Sequence, residues 1–224
     1  MNSNVPQDFD LASRQRGIRR TVIISLVMVL LVIALVVHKF TKPRAMTQDE
    51  LREYGAVVLD KPRRFSDFEL QDNRGQLFTR EQLQGQWSLL FFGFTHCPDI
   101  CPMTLLDLQR MVSNLPEDIA ANTQVILVTL DPARDTPDEL TQYLAAFNPD
   151  FIGVTGEFLT LRRFANEVNV AFAKVVQGDD YTVDHSGNIV LINPKGDYHG
   201  FFRPPFDVKN LQLTFTSIYQ NFDF

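Results

Sequence analysis

Two apolar runs dominate the polarity pattern of the chain. From Thr21 to Val37 only Thr21 and Ser25 are polar. At about 1.5 Å of helical rise per residue, this run lies at the short end of what crosses a bilayer, about 17–25 residues. The stem of Lys39 can lie along apolar surface, which brings Phe40 into the usable length. A cleaved leader would have a shorter apolar core, about 7–15 residues, and a small-x-small site after it. Val37-His38-Lys39-Phe40 offers only bulk there. The pattern predicts a polar N-terminus at 1–20, an uncleaved transmembrane anchor at 21–40 and, between Pro43 and Pro62, a tether at 41–61.

The second run, Ser88 to Phe94, is short and bounded by polar residues. It has the length and continuity of a strand covered on both faces. Around it, from 62 to 224, the pattern alternates between the two regular periods. Phe68-Glu69-Leu70 and Gln76-Leu77-Phe78 flank Asp72-Asn73-Arg74-Gly75, a hairpin signal, and Thr79 to Gln82 opens a short helical turn. Leu105, Leu106, Leu108, Met111 and Val112 follow helical spacing. Gln124 to Leu130 predicts the next strand. Thr136-Pro137-Asp138-Glu139 then reads as cap, first-turn proline and capping-box glutamate for a helix to about Phe147. Phe151–Val154, Val170–Val175 and Ile189–Ile192 read as strands, Glu157–Glu167 and Asp207–Tyr219 as helices. Asp184-His185-Ser186-Gly187 reads as a turn. Strands alternating with helices of about ten residues predict a layered α/β domain with some parallel pairing.

Composition alters this picture in two places. There are 19 Phe and one Trp, so the core should be built on phenylalanine. The net charge of −6 hides an asymmetry: residues 1–45 carry seven Lys/Arg and two acids, the rest 14 basic and 25 acidic residues. So acidic a domain argues against nucleic acid as a partner. The tight cluster Arg14, Arg16, Arg19 and Arg20 before the apolar run favours a cytoplasmic N-terminus. The main domain would then face the periplasm in a Gram-negative cell.

The chemistry is concentrated where the second apolar run ends. Cys97 and Cys101, the only two cysteines in the chain, follow it in Thr95-His96-Cys97-Pro98-Asp99-Ile100-Cys101-Pro102. Residues four apart share a helix face, and Pro98 suits a first turn. A helix N-terminus lowers a thiol pKa, and the thiolate is the form that attacks disulfides and binds metals. Three outcomes stay open for such a pair: a disulfide, inert or not, an exchange pair, or a metal clip. Two thiolates are too few for a structural zinc site, whereas two thiolates and an imidazole suit copper. Four histidines are candidates for that third donor: His38, His96, His185 and His199.

At this point a resemblance becomes specific. Phe91-Phe92-Gly93-Phe94-Thr95-His96-Cys97-Pro98-Asp99-Ile100-Cys101-Pro102 resembles the signature of the SCO/SenC family, membrane-anchored thioredoxin-like proteins that help deliver copper to the CuA centre of cytochrome c oxidase. Val128 to Pro137 is similar to that family's Asp-Pro…Arg-Asp-Thr-Pro segment, and Tyr181 to Ser186 to its Asp-His-Ser block. The matching blocks lie in the right order between Phe65 and Ile218. The resemblance implies a thioredoxin-like central sheet flanked by helices. It implies copper, as Cu(I), Cu(II) or both, on Cys97, Cys101 and His185, the last 88 positions beyond Cys97. It also implies the CuA-bearing oxidase subunit or other copper-assembly proteins as partners, and single-pass residence in the inner membrane. Phe94 stands where family members often have Tyr. Met103 replaces a small polar residue and offers a thioether. Asp131 and Asp135 are expected to shape the loop before the next helix.

Two other classes remain beside metal delivery. A thiol–disulfide oxidoreductase of the cell envelope would use Cys97 and Cys101 as its redox pair. A peroxidase of the peroxiredoxin type would need an activating arginine, for which Arg134 is the one candidate.

Overall fold

The computed structural model describes residues 8–41, 45–178 and 180–223. The chain divides into two units, Met1–Arg44 and Ala45–Phe224. In the first, α1 (Asp8–Thr41) is one continuous helix. Its stretch Arg14–Val36, of mean hydropathy 2.4, is long and apolar enough to cross a membrane.

The second unit runs in order through α2 (Gln48–Glu53), β1 (Ala56–Arg63), β2 (Leu70–Asp72), β3 (Leu77–Phe78), a 3-10 turn (Arg80–Leu83) and β4 (Trp87–Gly93). Then come α3 (Ile100–Ser113), α4 (Glu117–Ala120), β5 (Thr123–Thr129), α5 (Pro137–Ala145), β6 (Ile152–Thr155) and α6 (Phe158–Glu167). It closes with β7 (Phe172–Gln177), β8 (Asp180–His185), β9 (Ile189–Ile192), β10 (Tyr198–Phe202) and α7 (Val208–Gln220). Eight strands form one sheet in the order β1-β10-β9-β4-β5-β6-β2-β3, while β7 and β8 pair only with each other. β4, β5 and β6 are parallel. β9 runs antiparallel to β4, and β10 to β9. This is an α/β, thioredoxin-like sheet flanked by helices, as expected from the alternation of strand and helix patterns.

β4 is the axis of the sheet. All seven of its residues are buried, because neighbours cover both edges and helices both faces. A cluster of phenylalanines packs around its Phe92. Phe68 stacks on Phe164 at 4.5 Å between centroids, and Phe65, Phe78 and Phe92 join them. α5 starts with the expected cap and first-turn proline: Thr136 Oγ1 accepts from the Glu139 backbone N–H (3.3 Å), with Pro137 in the first turn, while the Thr136 N–H donates to the Arg134 carbonyl (3.2 Å).

Three stretches depart from expectation. The segment 41–61, read as a tether, is folded from Thr47 on. Thr47 and Glu50 form a reciprocal capping box that starts α2. Val57-Val58-Leu59 then joins the sheet edge as part of β1, where Pro62 needs no ladder partner. β10 was unforeseen, because Tyr198-His199-Gly200 carries a glycine where a strand wants bulk. Lastly, Asp184 and His185 end a strand instead of forming a turn. Residues 180–185 pair back on β7 with Phe172 opposite His185.

Candidate metal centre

Chain direction and burial place the site at the C-terminal end of β4, where ligands of open α/β sheets gather. β4 stops at Gly93, and the chain turns through Phe94 to Asp99 before α3 begins. That turn is pinned from the next strand. The Thr95 hydroxyl donates to Asp135 (2.6 Å), as do the Thr95 N–H (3.1 Å) and, from the end of β5, the Thr129 hydroxyl (2.5 Å). Asp135 is fully buried, and burial raises its pKa despite those three donors. Asp131 and Asp135 therefore shape the loop and lie outside the cluster of sulfur and imidazole donors.

α3 has Asp99 at its N-cap position with no side-chain cap. The Cys97 sulfur takes that place: the Cys101 N–H donates to it at 3.4 Å. Free N–H groups and the helix dipole favour negative charge there. The half-buried Cys97 is accordingly pulled down to about 4, first by the hydrogen bond from the Cys101 thiol, then by His185 and backbone N–H groups, against a burial penalty. Cys101 is pushed up, first by its bond to Cys97 and then by burial. One of the two sulfurs is thus ionised and the other keeps the proton.

Cys101 reaches the site because Gly93 has no side chain. A Cβ at Gly93 would lie 2.9 Å from Cys101 Sγ and 3.0 Å from Phe91 Cε1. This requirement was missed in the sequence, where Gly93 is merely the glycine of Phe-Phe-Gly-Phe. The rings of Phe91 and Phe94 form apolar walls at 5.9 and 6.2 Å from the His185 ring.

His185 enters from β8. Its Nδ1 lies 3.1 Å from the Ser186 carbonyl oxygen, which can only accept. Nδ1 therefore donates to that carbonyl, and Nε2 faces the sulfurs, 3.7 Å from Cys101 Sγ. The sulfurs of Cys97 and Cys101 and a ring nitrogen of His185 all lie within 4.8 Å of one another. Donors of one metal ion held at about 2.0–2.3 Å are spaced in this way. The sequence-predicted trio thus meets in space.

The other candidates do not join it. His96 is exposed beside Thr95 Oγ1 (3.0 Å). His199 packs edge-on against Trp87, at the far end of β4, and burial lowers its pKa to about 4. The side chain of His38 lies outside the described residues. Met103 is 54% exposed. Arg134 spends its guanidinium on Asp131, Asp180 and the Tyr181 carbonyl, so it is not aimed at a reactive thiolate as a peroxidase would require.

A family model described as SCO1/SenC matches residues 58–218. The chain belongs to the SCO1/SenC family. A Stutzerimonas stutzeri protein named for copper binding is 39% identical over 172 residues, covering 76% of this chain and 84% of the relative. The mitochondrial protein SCO2 of Saccharomyces cerevisiae is 41% identical over 153 residues, 67% of this chain and 49% of the relative, so this chain spans about half the yeast protein's length. The crystal structure of yeast Sco1 with copper bound superposes with a TM-score of 0.66 at 33% identity, covering 72% of this chain and 91% of that one.

Proposed function

We propose that this SCO1/SenC member binds one copper ion on Cys97, Cys101 and His185 and passes it to the CuA-bearing subunit during assembly of cytochrome c oxidase. The observation that carries the reading is the meeting of two sulfurs and one imidazole, 88 residues apart in sequence, within 4.8 Å. Copper binding in named relatives supports it. α1 would anchor the domain in the inner membrane, facing the periplasm, with Arg14 to Arg20 retained in the cytoplasm.

Transfer needs only ligand exchange. Cys97 offers a thiolate at neutral pH, and the contact of Nδ1 with the Ser186 carbonyl turns Nε2 of His185 toward the sulfurs. Cys101 gives up its proton as the ion binds. A partner's thiolates then displace the three donors one at a time, and the copper keeps its oxidation state. In the test, the loaded full chain in detergent is mixed with a soluble CuA domain. Copper should move to the CuA domain, and retention on this chain at equilibrium would refute delivery.

A second reading rests on the same pair of free sulfurs. The Cys97 thiolate would attack a target disulfide, forming a mixed disulfide. Cys101, losing its proton, would then attack Cys97 Sγ and release the target as a dithiol. Two electrons pass to the target, and a dithiol reductant must reset the Cys97–Cys101 disulfide. His185→Ala separates the two: reduction of a target disulfide survives it, and copper transfer does not.

A further inference from the structure

β7 and β8 form a two-stranded sheet of their own. β7 is exposed from Ala173 to Gln177, and within β8 only Val183 is buried. An isolated hairpin is at best marginally stable in water, so contacts with the domain body must hold this one. Alternate residues of a strand share a face. Tyr181, Val183 and His185 make up the inward face of β8. His185 meets the aromatic walls, Val183 is buried, and Tyr181 meets the loop that follows β5.

That loop grips the hairpin through Arg134. Its guanidinium carbon stands 3.9 Å from the Tyr181 ring centroid. Nη2 donates to the Tyr181 carbonyl (3.3 Å) and Nη1 to Asp180 Oδ1 (3.3 Å). Nε donates to Oδ2 of buried Asp131, whose Oδ1 accepts from the Tyr181 hydroxyl (2.9 Å). Lys174 Nζ lies 3.3 Å from the same ring centroid. Asp131 is itself fixed, since its N–H donates to Thr129 Oγ1 (2.9 Å) and that hydroxyl donates to Asp135, which also binds Thr95. A continuous set of contacts thus runs from Thr95, two residues before Cys97, to Tyr181, four residues before His185. A planar fork making three directed bonds and a ring stack is a task lysine cannot reproduce.

We propose that Arg134 is the positioning residue for His185. It touches none of the three candidate ligands. By holding Asp180 and Tyr181 against Asp131, it fixes the hairpin so that His185 Nε2 faces Cys101 Sγ. The consequence for copper rests on the proposed function; the consequence for the hairpin does not.

The test uses the full chain in detergent, with Arg134→Ala and Tyr181→Leu each made alone and combined with His185→Ala. Amide exchange of the metal-free protein should rise about tenfold or more across 172–185 and stay unchanged in β4 and β5. Cu(I) affinity, by competition with a chromophoric chelator, should fall about 10–100-fold, the usual effect of losing a residue that orients a ligand. In the His185→Ala background the same substitutions should leave the residual affinity unchanged. Arg134→Lys should not restore binding. Unchanged exchange in the hairpin overturns the proposal. So does an equal loss of affinity with and without His185, which would mean a general structural role. If the parent chain takes up no copper, the proposed function fails, and exchange alone decides whether Arg134 holds the hairpin. Should Arg134→Ala not fold, Tyr181→Leu carries each comparison.

Discussion

At Gly93 a single methyl group separates a working site from a blocked one. Gly93→Ala would set a carbon 2.9 Å from Cys101 Sγ in a fully buried position. Overpacking of this kind costs about 1–3 kcal/mol, and the sulfur would have to move away from His185. Chemical denaturation should show that loss, together with weakened metal binding. The two sulfurs differ just as sharply in acidity. Cys97 is held at about 4 and Cys101 above the ordinary thiol range. Alkylation by iodoacetamide follows the thiolate, so its rate at Cys97 should persist as pH falls and fade only near pH 4. An ordinary cysteine fades below about 8.5. Cys101 should stay unmodified while Cys97 reacts. A single midpoint near 8.5 at Cys97 would contradict this. The pair and its place at a helix start were legible in the residues themselves, because prolines and polar residues there break an apolar run. His185 was the better placed of four candidate histidines, near a strand end, but only the family motif set it apart. Gly93 was not legible, since its requirement arises from a sulfur eight residues later folding back onto it.

Among the elements, those with a strong internal period could be read directly. β4 and β5 hold the apolar runs Leu89–Phe92 and Val125–Val128, α3, α5, α6 and α7 carry helical spacing, and α5, α6 and α7 have side-chain caps. The strands that went unread depend on partners far along the chain. β1 pairs with β10, more than 130 residues away. β10 does alternate, with Tyr198, Gly200 and Phe202 buried, but its middle inward position is a glycine. The structure explains that glycine: a Cβ at Gly200 would lie 2.2 Å from the Val57 carbonyl oxygen. Gly200→Ala should therefore push β1 off the sheet. The expected signs are faster amide exchange at Ala56–Val58 and a lower denaturation midpoint. A chain beginning at Arg64 should lose its sharp cooperative unfolding, whereas a true tether could be removed without effect. β8 was hidden for a related reason. Asp184-His185-Ser186-Gly187 has the composition of a turn, and the pairing of Phe172 with His185 overrides it.

On the scale of the molecule, a membrane-length helix and an acidic α/β domain meet in one chain, and the domain's stability carries its own pH signature. Burial holds His199 at about 4, against about 6.5 in an unfolded chain. Between those values the unfolded state binds a proton that the folded state refuses, so stability falls as pH drops from about 6.5 to 4. One proton gives at most about 1.4 kcal/mol per pH unit. The difference in urea midpoint between the parent and His199→Phe should shrink or grow only inside that window; a difference constant from pH 7 to 4 would contradict it. The central claim concerns the site at the other end of β4. Its most direct test is copper stoichiometry of the full chain in detergent, with X-ray absorption to identify the donors. The account predicts one copper per chain on two sulfurs and one nitrogen, with the nitrogen lost in His185→Ala and binding abolished in Cys97→Ser/Cys101→Ser. Undiminished binding in the chain lacking both sulfurs would contradict it.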